Sequence, residues 1–263
     1  MIFEKIKFRC LEIHVAHACN LKCKSCSHFS DQQHKGIITV DQLEEWCGDW
    51  PKRICPEEVN MLGGEPTLNK NLVEFVYSTR KNWTESKLNL ITNGFFLHRH
   101  TDLPEVLQQT GTNLVVSIHH DSIDYQDKLK EIKSLVFGWQ KKYNFKTEWR
   151  ESYKNWKILF RSSGSDMLPF EDNNPKQSWR NCESKHTKQL YDGKIWKCPP
   201  LAYLKMQNDK YKMNGKWNEY LRYEPAAIEM KYSKLKEFLS LKHESYCSMC
   251  PANPESITKP NPL

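Results

Sequence analysis

The sequence predicts an α/β fold: a partial (β/α)5-6 barrel over residues 1–165, then a smaller C-terminal domain over residues 166–263. Three observations predict it. Strand-like and helix-like segments alternate through the first 165 or so residues, the order that builds a parallel sheet with helices outside. Only five or six strands fit in that length, whereas a closed eight-unit barrel takes about 250 residues. After Ser162 the pattern breaks up, with Pro169, Pro175, Pro199 and Pro200 among scattered Asn, Asp and Ser.

Each element follows from its residues. Residues 10–16 (CLEIHVA) read as a buried strand. Residues 39–50 carry Val40, Leu43 and Trp46 at helical spacing, with Asp41 near the start. Residues 58–62 form the next strand and end at Gly63-Gly64. A helix covers 72–77, and a strand over 88–92 ends in Asn93-Gly94. A short helix over 104–109 accepts Pro104 in its first turn. The fourth strand is 113–118 (NLVVSI), and the longest helix, 125–143, keeps Leu129, Ile132, Leu135 and Val136 on one face. Residues 146–150 and 156–160 read as two more strands, with a link too short for an ordinary crossover helix. In the second part, 189–191 and 194–196 form a hairpin around Asp192-Gly193, both of whose positions tolerate positive φ. A helix is expected over 233–241 and an extended tail over 251–263, which holds four prolines.

Composition narrows the function. Lys and Arg number 39 against 32 Asp and Glu, a net charge of +7, which suits a basic soluble surface or attraction to an anionic substrate or partner. With 9 Trp, 11 Tyr and 11 Phe the chain has enough bulk to exclude wholesale disorder. No apolar run reaches membrane-spanning length. Glu4, Lys5 and Lys7 interrupt any export signal, so a cytoplasmic protein is expected. Ten cysteines in such a chain point to metal or redox work, not disulfides. There is no H-E-x-x-H, Walker A or G-x-G-x-x-G signature and no nucleic-acid module.

Seven cysteines fall into two sets. Cys19, Cys23 and Cys26 form C-x3-C-x2-C directly after the first strand. Three thiolates can wrap a [4Fe–4S] cube and leave one iron open, since such a cube normally takes four. The plainer alternative is a zinc site with a distant fourth ligand such as His17 or His28. Cys182 precedes the hairpin and Cys198 follows it, so the hairpin brings them together, and Cys247 and Cys250 form C-x2-C near the C-terminus. These four thiols make a complete set, for a zinc ribbon or a second iron–sulfur cluster. Cys10, Cys47 and Cys55 remain. Buried packing is expected of each; hydrogen donation to a substrate radical is the sharper alternative.

The C-x3-C-x2-C run in the loop after the first strand of a partial barrel resembles the radical S-adenosylmethionine (SAM) superfamily. Three later motifs fall where that resemblance requires them: Gly63-Gly64-Glu65-Pro66 after the second strand, Thr92-Asn93-Gly94 after the third, and Ser117 late in the fourth. The resemblance implies a SAM-binding [4Fe–4S] cluster on Cys19, Cys23 and Cys26. It implies SAM contacts from Gly63, Gly64, Glu65, Pro66, Thr92, Asn93 and Ser117. Arg150, on the fifth strand, would face the SAM carboxylate or the substrate. His119, just after the fourth strand, would sit at the cavity mouth as a general base, a substrate anchor or an ordinary loop histidine. The residue before the third cysteine, usually aromatic in the family, is Ser25 here, with Phe29 as the substitute for that contact.

The second cysteine set resembles the family's SPASM and twitch modules, which hold an auxiliary [4Fe–4S] cluster. Within the family the chain resembles the 2-deoxy-scyllo-inosamine dehydrogenase-like enzymes, of similar length. The implied activity is reductive cleavage of SAM to a 5′-deoxyadenosyl radical, with a reductant such as flavodoxin or ferredoxin. That radical would abstract hydrogen from a small polar substrate (a sugar, aminocyclitol or nucleotide-linked sugar), giving dehydrogenation or epimerisation. The chain begins nine residues before Cys10, leaving no N-terminal peptide-recognition domain, which favours the small substrate. Maturation of a ribosomally made peptide is the alternative, and a non-catalytic zinc scaffold is a third reading.

Overall fold

The computed structural model describes residues 4–257 and 262–263. Strand β1 (Ile6–Ala16) sets the two faces of its sheet. Leu11, Ile13 and Val15 are fully buried on the side packed by helices. Glu12 and His14, at the alternate positions, belong to the opposite face, as the period of a strand requires. Strands β2 (Ile54–Gly63), β3 (Lys87–Thr92), β4 (Asn113–Ile118) and β5 (Thr147–Glu151) follow, each parallel to its neighbour.

Parallel pairing demands a crossover between strands. Helices α1 (Val40–Cys47) and α2 (Trp50–Arg53) cross from β1 to β2, α3 (Leu72–Asn82) to β3, α4 (Leu103–Thr110) to β4 and α5 (Ile123–Gln140) to β5. Thr39 starts α1 with a capping box: its hydroxyl accepts from the Gln42 amide, and the Gln42 side chain accepts from the Thr39 amide. Leu43, Phe75, Leu107, Ile132 and Val136 of these helices close the main core over the sheet.

Beyond β5 the expectation of a strand over 156–160 fails. Ser152–Asn155 forms a 3-10 turn, and Lys157 makes only an isolated bridge to Ser256. No helix separates that stretch from β5, and without a crossover it cannot continue a parallel sheet. The sixth strand is instead β6 (Thr187–Tyr191), parallel to β1 on the side away from β2, with β7 (Lys194–Trp196) antiparallel to it. The sheet therefore has seven strands in the order β5-β4-β3-β2-β1-β6-β7. Asp192 and Gly193 turn the hairpin with φ of 52° and 68°.

Helices α6 (Pro175–Asn181), α7 (Pro199–Tyr211) and α8 (Tyr232–Ser240) complete the chain. Pro199 and Pro200 do not break structure; they open α7, where missing amide hydrogens cost nothing. A second core forms here around Tyr203, Trp217, Tyr220 and Met249, and Phe29 from the cysteine loop enters it. Of the extended tail expected over 251–263, residues 258–261 lie outside the described residues. Among the described residues no helix is long and apolar enough to cross a membrane.

Candidate active site

The ends of the parallel strands open into a cavity of about 770 Å³. Cys19, Cys23 and Cys26 line it together with Glu65, Asn93 and Ser117. The loop that carries the cysteines leaves β1 and is pinned from below by the turn after β2. Gly64 donates to the Ala16 carbonyl and Glu65 to the Ala18 carbonyl, both at 2.8 Å. The glycines are required by this contact. A Cβ on Gly63 would stand 2.2 Å from the Ala16 oxygen, and one on Gly64 2.0 Å from the Ala18 oxygen. The close approach is thus between two stretches of the chain itself.

Glu65 ties three sequence motifs into one unit. It is 1% exposed, and burial pushes its pKa up. One carboxylate oxygen accepts from the Thr67 amide at 3.0 Å and from the hydroxyls of Thr67 and Thr92. The other accepts from the Asn93 amide at 2.8 Å. Asn93 in turn donates to the Asn20 side chain at 2.9 Å, which reaches into the cysteine loop. Pro66 opens the 3-10 turn that positions Thr67.

Burial holds the Cys19 and Cys23 thiols protonated. It pushes Cys19 up to about 12, with Glu65 adding to the effect. Burial also raises Cys23, with Cys26 and Cys19 adding to it. Among the described residues no three His, Cys, Asp or Glu side chains gather about a single-ion centre. Beside the thiols are two unanswered polar atoms. Ser30 Oγ and Asp31 Oδ1 are buried without a hydrogen-bond partner, and both residues line the cavity.

Ser117 is buried on β4 and lines the cavity. Arg150 pairs with it in register on β5, lines the rim and forms an ion pair with Glu148 at 2.9 Å. His119 lines the cavity with its Nδ1 3.5 Å from the Cys23 sulfur. Burial lowers its pKa to about 4, so the ring is neutral. Phe29 does not face this cavity; it is 1% exposed and stacks on Phe160 at 5.0 Å.

Cys182, Cys198, Cys247 and Cys250 line one small cavity between α6, the start of α7 and the C-terminal turn. Burial raises all four thiols, and each of Cys198 and Cys250 also feels its neighbours. Cys182 lines the large cavity as well. Of the other cysteines, Cys47 is fully buried in the main core and Cys55 lies 3.9 Å from Glu85. Cys10 lines the large cavity, accepts from the Asn60 side-chain Nδ2 at 3.2 Å and is pushed up to about 12 by burial.

Sequence reasoning missed a buried polar network behind the cysteine loop. His14 and His17 place their Nδ1 atoms 3.0 Å apart, and His14 stacks on Tyr203 at 3.9 Å. Glu12 receives Gln189 and lies 3.3 Å from His28, while Tyr203 donates to Gln189 at 3.0 Å. The only local signal is three polar residues on one face of an otherwise apolar strand and its exit.

A family model described as the radical SAM superfamily matches residues 13–160. Solved structures to which the chain is similar include BtrN in complex with AdoMet and 2-DOIA. It shows 14% identity over 94% of this chain and 94% of that chain, with a TM-score of 0.49. Native anSMEcpe with bound AdoMet and Cp18Cys peptide shows 18% identity over 52% of this chain and 42% of that chain, with a TM-score of 0.39. SuiB of Streptococcus suis bound to S-adenosylmethionine shows 13% identity over 87% of this chain and 68% of that chain, with a TM-score of 0.36.

Proposed function

The chain belongs to the radical SAM superfamily, and from that premise we propose an oxidoreductase or epimerase that takes hydrogen from a small polar substrate. The family implies a [4Fe–4S] cluster and SAM. The residues present fit both. Three thiols line a cavity large enough for a nucleoside and a substrate, and Ser30 and Asp31 offer it buried polar atoms with no partner among the described residues. When bound, cluster and SAM supply a one-electron reduction and a carbon radical able to attack an unactivated C–H bond.

Cys19, Cys23 and Cys26 would hold the cluster. Glu65, fixed from three sides, holds the turn after β2 and the end of β3 in one arrangement, so that backbone and Asn93 meet SAM preorganised. Ser117 and Arg150 would complete the cradle from β4 and β5. His119 would act on Cys23 as a positioning group.

The polar lining carries the substrate class. Glu12, Asn60, Ser117, Asn155 and Thr187 all face the cavity, which suits hydroxyl and amino groups better than an apolar molecule. We assign residues 166–263 to a twitch-like module in which Cys182, Cys198, Cys247 and Cys250 hold a second cluster. Four ligands leave no open iron there, so this cluster would pass electrons.

Metal analysis after anaerobic reconstitution tests the reading. About eight irons per chain are expected, falling by half in Cys19→Ala/Cys23→Ala/Cys26→Ala and by half in Cys182→Ala/Cys250→Ala. A colourless protein holding zinc and no iron would overturn it.

A further inference from the structure

We propose that the substrate carries an oxyanion, a phosphate ester or a carboxylate, which Arg9 and Arg180 grip at the rim of the cavity. The proposal rests on the reading of this cavity as a substrate site. Both arginines line it, and among the described residues neither guanidinium has a hydrogen bond or ion pair.

Apart from Asp31, the carboxylates around the cavity are answered, and so is Arg150. Glu12 is held by Gln189 and His28, and Glu65 by Thr67, Thr92 and Asn93. Glu58 pairs with Lys87 at 3.0 Å, and Glu183 with Lys157 at 3.4 Å. Arg150 is paired to Glu148, and Glu151 to Lys154. Asp31 lies by the cysteines. The unpaired charge left at the far rim is therefore positive.

That rim is basic beyond the two arginines. Lys185 lines it and donates to the Arg180 carbonyl at 2.9 Å. Burial, then the charges of Arg9, Lys185, Lys188 and Lys242, hold the His186 imidazole of this rim below its ordinary pKa. A guanidinium offers forked donors that match phosphate and carboxylate oxygens. Arg9 stands near the start of β1 while the cysteine loop follows its end, about 20 Å away at the rise of a strand. A substrate gripped here and attacked near the cysteines is elongated, with its anionic group distal to the reacting carbon.

Isothermal titration of the anaerobically reconstituted chain with pyrophosphate, malonate and neutral glycerol, at low salt, tests this. Saturable anion binding is expected, with none for glycerol. Arg9→Gln and Arg180→Gln should each weaken it about tenfold, while Lys234→Gln, an exposed cation on α8, keeps the affinity of the unaltered chain. Preference for pyrophosphate assigns a phosphate and preference for malonate a carboxylate. Failure of both anions to bind, or equal affinity in all three variants, overturns the proposal. SAM affinity is measured on the same samples: a chain that binds anions but not SAM defeats the radical reading and leaves this one standing.

Discussion

His14 is fully buried in a face made by three separate parts of the chain: its own strand, the loop through His17 and His28, and Tyr203 of α7. Its Nε2 has no partner. Burial, then His28 and His17, keep its pKa well below the ordinary value. The unfolded chain takes up a proton near pH 6.5 that the native ring refuses. The unfolded state then binds more protons, so stability falls as pH drops below about 6.5. Urea unfolding at pH 7.5 and 5.5 should show that fall, and His14→Phe, which keeps the stack on Tyr203, should make it shallower, with His17 and His119, also lowered to about 4 by burial, supplying what remains. An unchanged slope in the variant would count against this role. The cysteine spacing and the Gly63-Gly64-Glu65-Pro66 run are legible in the sequence because each is a local pattern. The role of His14 is not, because its partners are distant in sequence and only the fold assembles them.

At the scale of elements, two glycines separate turn chemistry from close packing. Gly193 has φ of 68°, and a Cβ added there would meet nothing within 4 Å, so Gly193→Ala should cost only about 1 kcal/mol, the left-handed penalty. At Gly64 the added carbon would meet backbone at 2.0 Å. Gly64→Ala must push the cysteine loop off the turn after β2, costing about 3 kcal/mol and lowering iron uptake at the first site. Equal losses in the two variants, by chemical denaturation, would contradict this distinction. The hairpin at Asp192-Gly193 can be read from two residues, and strands β1 to β5 from their periodicity. The pairing of β6 with β1 cannot, because Cys10 and Thr187 meet in register across most of the chain. Distance in sequence also explains why 156–160 reads as a strand: its apolar pattern serves the second core, where Phe160 packs on Phe29 and Trp217.

The whole molecule joins two thiol sets through shared walls. Cys182 lines both the large cavity and the four-thiol cavity, and Phe29 anchors the first cysteine loop in the second core. On the proposed function, Cys19, Cys23 and Cys26 support reductive cleavage of SAM. The direct measurement is 5′-deoxyadenosine, quantified anaerobically after reconstitution, reduction and addition of SAM, beside Cys19→Ala/Cys23→Ala/Cys26→Ala. Product is expected from the unaltered chain and none from the variant. Equal amounts from both, or none from an unaltered chain that holds its full iron, would contradict that claim.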